Sequence, residues 1–280
     1  MVTNSPHIRR IRMNKEDKEV INNIISQLNK LVEDDEKKVE VNNDEDELLK
    51  DLYNINKDLI GKIYRIQSYV TLAKDPDHEP YISDINEFVP HMVIGINHDG
   101  AKDTMDLMQM VTPNYFRFVT DLSCIGGDYF LSNIYEYVKD KHKNGYSENI
   151  RVKMKIMEEK FRRPVKKYTR ELKIRTTDCK ILNPVELYGS RALDVLSTEY
   201  SDLDDRYGEI YEAFIKDPKN RVCYGDIDIS VPICHWTNSF GHYINDDDPR
   251  CFNVGKDGSC YFHCNDVYTY GIAPVIRLGK

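Results

Sequence analysis

Cysteines, histidines and clustered acids are the residues with the means to do chemistry in this 280-residue chain, which has seven cysteines and eight histidines. Cys260 and Cys264, in CYFHC, resemble a metal or redox pair. The surrounding pattern is that of a strand, and on a strand four residues span about 13 Å. That is too far for a disulfide or for two ligands of one zinc ion. Both then face the same side as Phe262 and read as small apolar core residues. Cys223, Cys234 and Cys251 lie on other predicted strands, and the spacing leaves their mutual distances open. The odd cysteine count argues against a complete disulfide framework. His235 precedes the only tryptophan, Trp236, and Thr237-Asn238 follow, which reads as a core aromatic with a polar rim. Asn245, Asp246, Asp247 and Asp248 form a loop rich in the oxygen ligands that calcium takes. It lacks the alternating spacing of a dedicated calcium loop, and turns favour these residues anyway. Asp226 and Asp228 alternate with Ile227, Ile229, Val231 and Ile233, as on the solvated face of a strand. No P-loop, GxSxG, HExxH or GxGxxG is present. The expectation is a chain with no catalytic residue, no cofactor and no metal site.

The elements that would carry these residues follow from periodicity. Ile21, Ile24, Ile25, Leu28, Leu31 and Val32 recur at helical spacing and make one apolar stripe. A second helical stretch holds Leu48, Leu49, Leu52 and Ile55. Tyr64, Ile66, Val70 and Leu72 alternate with polar neighbours and predict a half-buried strand. HMVIGINHDGAKDTMDLMQM predicts strand, turn, strand. SNIYEYVKDKHKNGYSENIRVKMKIM predicts two helices, with Ser132 and Ser147 as N-caps. TTDCKILNPVELYG is a strand that stops at Pro184. CFNVGKDGSCYFHC is a hairpin whose Asp257-Gly258 suits a type I′ turn. GIAPVIRL, residues 271–278, is apolar and β-branched where chain ends are usually polar. The expected class is α+β with mainly antiparallel pairing. Residues 1–13 read as an extended arm, 14–57 as a helical assembly segment and 58–280 as the folded domain. The candidate assembly residues are Arg9, Arg10 and Arg12 on the arm and Ile21, Ile25, Leu28 and Val32 on the stripe.

The net charge of −8 is unevenly spread. Residues 33–47 hold nine acids and two lysines, while residues 151–175 hold eleven bases and three acids. These are two solvated faces, or two stretches that meet within a chain or between subunits, where opposite fields steer association. A lone basic stretch without an aromatic-rich stripe makes a nucleic-acid partner unexpected. No run of about 18 apolar residues predicts a membrane span. The first twenty residues contain no secretory h-region, so synthesis in a cytoplasm with reduced thiols is expected.

The order of VIGINHDGAKDTMDLM, LSNIYEYV, NGYSENIRVKM, CKILNPVELYG, CHWTNSF, FNVGKDGSCYF and YGIAPVIRL resembles a domain-of-unknown-function family of Gram-positive bacteria and their phages. The likeness covers about residues 59–278. Two steps depart from the family pattern: Ala273 stands where an arginine is usual before proline, and Thr237 to Ser239 replace an RSP step. The resemblance implies a C-type-lectin-like fold, related to that of the formylglycine-generating enzymes, with the terminal strand running through the middle of the domain and pairing near the first. Pro274 should then sit at a bulge or at the strand's start. In phages such domains sit on tails, baseplates, fibres and capsid decorations. The resemblance therefore implies a non-enzymatic virion protein, made in the host cytoplasm. Its partners would be other virion proteins, further copies of itself, or a host surface glycan or protein. Lectin-like folds also use calcium, which bears on the Asn245 to Asp248 loop. The alternatives are a formylglycine-generating-type oxidase and a bacterial ligand-binding module.

Overall fold

The computed structural model describes residues 44–70, 85–112, 116–117, 129, 132–166, 169–189, 208–226, 228–240, 250–264 and 269–280, and every structural statement concerns these. The described body opens with α1 (Glu45–Tyr53). Leu48 and Leu52, one turn apart, are fully buried in the main core. Asp44 and Glu45 turn their carboxylates onto the outer edge of β1 (Ile63–Val70). Arg65 N–H donates to Asp44 Oδ2 at 2.8 Å and Gln67 N–H to Glu45 Oε1 at 3.2 Å. The body thus starts at about residue 44, and α1 belongs to it rather than to the segment 14–57. Arg9, Arg10, Arg12, Ile21, Ile25, Leu28 and Val32 lie outside the described residues, as does the loop Asn245 to Asp248.

Strands β2 (Ile85–Ile96) and β3 (Thr104–Gln109) form the expected hairpin. Its loop holds Asn97, Asp99 and Asp103 at φ 53°, 55° and 53°. Asn and Asp tolerate this left-handed region better than other L-residues. After β4 (Phe116–Arg117), α2 (Asn133–Glu136) runs on through a π turn and a 3-10 turn to Gly145. The N-caps are as expected, with Tyr135 N–H on Ser132 Oγ at 3.1 Å and Ile150 N–H on Ser147 Oγ at 3.4 Å. The second helix is shorter than its pattern predicts. α3 is only Glu148–Arg151, and the residues beyond it become β5 (Met154–Lys155) and the start of β6 (Met157–Lys166). β6 pairs with β7 (Thr169–Thr177) as a ribbon of its own.

β8 (Cys179–Ile181) stops just before Pro184, which then opens α4 (Pro184–Tyr188). A capping box closes that start: Asn183 Oδ1 accepts from Val185 and Glu186 N–H, and Glu186 accepts from Asn183 N–H. α5 (Glu212–Lys216) follows. The stretch 223–233 departs from the expected single strand. β9 (Cys223–Tyr224) and β10 (Pro232–Ile233) are two-residue strands joined by a turn, with Ile229 at φ 57° and Val231 exposed. Asp226 builds that turn by accepting from Ser230 and Val231 N–H. Its alternation with isoleucines is an Asx-type turn rather than a strand face. β11 (His235–Phe240), β12 (Arg250–Val254) and β13 (Cys260–Cys264) come next. The β12–β13 turn is not type I′, because Asp257 keeps negative φ and only Gly258 (φ 81°) is left-handed. Gly258 N–H bonds Gly255 C=O at 3.0 Å, a type I-like turn followed by a glycine bulge.

The chain closes with β14 (Thr269–Ile272) and β15 (Pro274–Gly279). The larger sheet has the order β1-β2-β3-β15-β5, with β8 beside β5 on the outer side of β15. The second has the order β13-β12-β11-β14-β4. Pairing is antiparallel except between β11 and β14. Pro274 opens β15, as expected of a residue without a donor. β15 pairs with β3, and two strands, β2 and β3, stand between it and β1. Residues 269–279 therefore belong to both sheets, and Ala273 is where the chain passes between them. The architecture is mixed α+β with mostly antiparallel sheets.

Removing residues 271–280 should abolish folding. Ile272, Val275, Ile276 and Leu278 are at most 3% exposed. Burying each stabilises by about 1.5–3 kcal/mol, against a typical net stability of about 5–15 kcal/mol. The check is loss of the cooperative thermal transition in circular dichroism. A truncated chain with an unchanged melting temperature would contradict the central place of β15.

Candidate functional site

Charged side chains inside apolar strands are the most unusual chemistry of the body. Asp106, in TMDLMQ, and Arg277, in PVIRLG, stand directly opposite each other on β3 and β15. Both are buried, and the guanidinium grips the carboxylate through Nε and a terminal nitrogen, each at 2.6 Å. Tyr211 O–H donates a third bond to Asp106 at 2.8 Å. Gly95 makes this possible from β2: a Cβ there would lie 2.7 Å from the Tyr211 ring. Beside them Lys180 on β8 donates to Glu186 Oε1 at 2.6 Å, both fully buried. Burial pulls the Lys180 ammonium down, but the Glu186 carboxylate together with the charges of Asp99 and Asp106 outweighs it and holds the group above its ordinary pKa. Arg277 behaves alike, with Asp106 overcoming burial. Burial, then the Asp106 charge, pushes the Tyr211 phenol well above its ordinary value. The site thus holds two cations and two anions with their charges matched.

The β2–β3 loop lids this cluster. His98 stacks on Tyr211 with ring centroids 3.7 Å apart. Asp99 Oδ1 and Glu212 Oε2 flank its ring nitrogens at 3.5 and 3.7 Å, ion-pair rather than hydrogen-bond distances.

A second cluster joins α2's extension to the sheet. His91 Nδ1 lies 2.8 Å from Val89 C=O, which only accepts, so Nδ1 carries the hydrogen. His91 Nε2 is then the acceptor of Tyr146 O–H at 3.1 Å, and the Tyr146 oxygen accepts from His142 Nε2–H at 3.0 Å. Burial lowers His91 to about 4 and His142 to about 3, so both are neutral in the folded protein at pH 7. Glu159, at the root of the ribbon, accepts from Ile181 N–H at 3.1 Å. Burial nevertheless raises it to about 7.

The cysteine pair singled out in the sequence is not brought together. Cys260 and Cys264 stand at the two ends of β13. Cys179, Cys223, Cys234 and Cys260 are free thiols, and burial pushes each of them up, Cys260 to about 12. Trp236 is a core aromatic, tilted against Tyr270 at 4.6 Å. Its polar neighbours are themselves interior: Thr237 donates to Phe252 C=O at 3.1 Å and Asn238 to Lys160 C=O at 3.1 Å. The gap beside Trp236, bordered by Met108, Ile181, His235 and Ala273, has no room for a water molecule. Among the described residues no group of three or more His, Cys, Asp or Glu is arranged to hold a metal ion, and no helix is long and apolar enough to cross a membrane. No protein-family model, no curated protein and no solved structure matches the chain.

Asp106→Asn should destabilise the body by about 3–5 kcal/mol, because it leaves Arg277 buried without its counter-charge. Urea unfolding should show this as a lower midpoint at unchanged slope. The pH profile should carry two opposed signatures. Glu159 has a raised folded pKa, so its contribution is fully present below about 4.5 and is lost as pH rises through about 7. Glu159→Gln should therefore gain up to about 3 kcal/mol over the parent at pH 8 and nothing at pH 4. His91 and His142 have depressed folded values, so stability should fall below about pH 6.5, down through about 4 and about 3. Equal stability of parent and Glu159→Gln across that range would contradict the buried-acid assignment.

Proposed function

We propose that the chain is a non-enzymatic structural protein of a phage virion, a component of a tail, baseplate, fibre or capsid decoration. Its body, residues 44–280, would be a C-type-lectin-like module for assembly or surface recognition. The observation that carries this reading is the closure of a mainly antiparallel α+β body by its C-terminal strand, the arrangement the family resemblance implies. The buried charges support it as well. Arg277 is engaged with Asp106 and Lys180 with Glu186, so these charges tie β3, β8, β15 and the start of α4 into one framework. A lectin-like surface needs such a framework to present its loops.

The formylglycine-generating alternative requires two cysteines in disulfide reach near the end of the chain. β13 keeps the backbones of Cys260 and Cys264 about 13 Å apart, and a disulfide needs about 4.4–6.8 Å between Cα atoms.

Under this reading attachment resides in the N-terminal stripe. The spacing of Ile21, Ile25, Leu28 and Val32 would place them on one side of a short helix, and such a helix, marginal alone in water, would need a partner to bury that side. Mass spectrometry of purified particles should find the chain. The triple variant Ile21→Asp, Ile25→Asp, Leu28→Asp should be missing from particles while the isolated protein keeps its melting temperature. Incorporation of the variant at the parent's level, or absence of the parent chain from particles, would overturn the proposal.

A further inference from the structure

The basic stretch is a β-ribbon, and its place in the fold suggests what it meets. β6 and β7 pair from Met157↔Thr177 to Lys166↔Thr169, outside both main sheets. Residues 157–177 carry eight bases and three acids, so the rest of a chain with net charge −8 carries −13. The root is fixed to the body: Asn183 and Asn238 both donate to Lys160 C=O, at 3.4 and 3.1 Å, and Glu159 receives Ile181 N–H. β5 leads into β6 and β7 leads into β8, so the ribbon leaves the larger sheet at the edge formed by β5 and β8. The chain enters at the opposite edge, where Asp44 N–H bonds Arg65 C=O of β1 at 3.0 Å. Four strand spacings, roughly 19 Å, separate the two edges.

The residues immediately before that entry, 33–43, hold five acids, Glu33, Asp34, Asp35, Glu36 and Glu40, against Lys37 and Lys38, a net charge of −3. We propose that the ribbon of one copy binds the acidic segment 33–43 of a second copy, so that copies associate head to tail. This inference rests on the assembly reading above and names the contact between copies. Three observations favour this occupant over a nucleic acid. The complementary charge is in the same chain. It joins the body at the edge opposite the ribbon, so copies placed in line bring unlike charges together. The −13 of the remaining residues would repel a polyanion. Such a contact is heterologous, and it builds a ring or an open fibre according to whether its rotation closes.

The test is a charge swap on the full-length protein, read by sedimentation velocity. The ribbon variant is Arg163→Glu, Lys166→Glu, Lys167→Glu; the segment variant is Glu33→Lys, Asp34→Lys, Asp35→Lys, Glu36→Lys. The parent should associate at about 0.1 M salt and dissociate at about 1 M, where the screening length falls from about 10 Å to about 3 Å. Each variant alone should be monomeric with native circular dichroism, and an equimolar mixture of the two should associate again, with the two variants alternating. A monomeric parent at low salt, single variants that associate like the parent, or folded variants that stay apart when mixed would each overturn the contact. Should the charge swap succeed while the chain is absent from particles, the head-to-tail contact stands and the virion reading fails.

Discussion

The pairing of Arg277 with Asp106 in the middle of the larger sheet constrains most of what surrounds it. Removing either ion from water costs several kcal/mol, and the loss is offset only if the pair is well formed and fully hydrogen-bonded. Asp106 meets that condition with three donors, two from Arg277 and one from Tyr211. The third donor reaches it because Gly95 presents no side chain to the Tyr211 ring. Tyr211 in turn ties its backbone N–H to Glu186 C=O at 3.1 Å, and Glu186 receives Lys180 and closes the cap of α4. One ion pair thus sets the register of β15, the glycine of β2, the seat of α5 and the start of α4. A slip of β15 by one residue would turn Arg277 toward the opposite face, away from its carboxylate. An apolar pair would give no comparable penalty for that slip.

The same strand makes folding strongly non-local. Arg277 and Asp106 are 171 residues apart in the chain, and β15 continues β14 of the second sheet. The meander β1-β2-β3 can form from neighbouring segments, but neither sheet is complete until the last residues join it. Such long-range closure slows folding, because the loop entropy is lost before the contacts form. It also explains why an apolar, β-branched segment lies at the end of this sequence: it is the interior of the sheet.

What was legible in the sequence was local. Alternation marked β1, β2 and β3, the serine caps marked α2 and α3, and Asp257-Gly258 marked a hairpin, though with a different turn. The errors share a physical cause. Asp226 and Asp228 alternate with isoleucines, yet Asp226 satisfies turn N–H groups, and period-two alternation cannot separate those states. A helix carried through 152–157 overlooks its period-two pattern: Lys153 and Lys155 alternate with Met154 and Ile156, and β15 pairs with the resulting β5. The ionic cluster was missed although it had a signal. A single charge inside an apolar strand, as in TMDLMQ, CKIL or PVIRLG, demands a buried partner. The sequence does not say which charge meets which, because that depends on the strand order.

The two edges of the larger sheet show how charge substitutes for pairing. At β1, Asp44 and Glu45 supply the acceptors that a neighbouring strand would otherwise provide, so the edge is closed by carboxylates. At the other edge β5 and β8 are too short to template a further strand, and the chain leaves as the ribbon. The ribbon is itself poorly suited to strand addition. Pro164 lacks a donor, the register shifts between Pro164 and Lys166, and bases crowd both strands. Proline, bulges and lysine are the features that keep an exposed edge from recruiting another backbone. A contact of this ribbon through side-chain charge would be selective for an acidic partner and sensitive to salt, unlike one through backbone hydrogen bonds, which any free strand can supply.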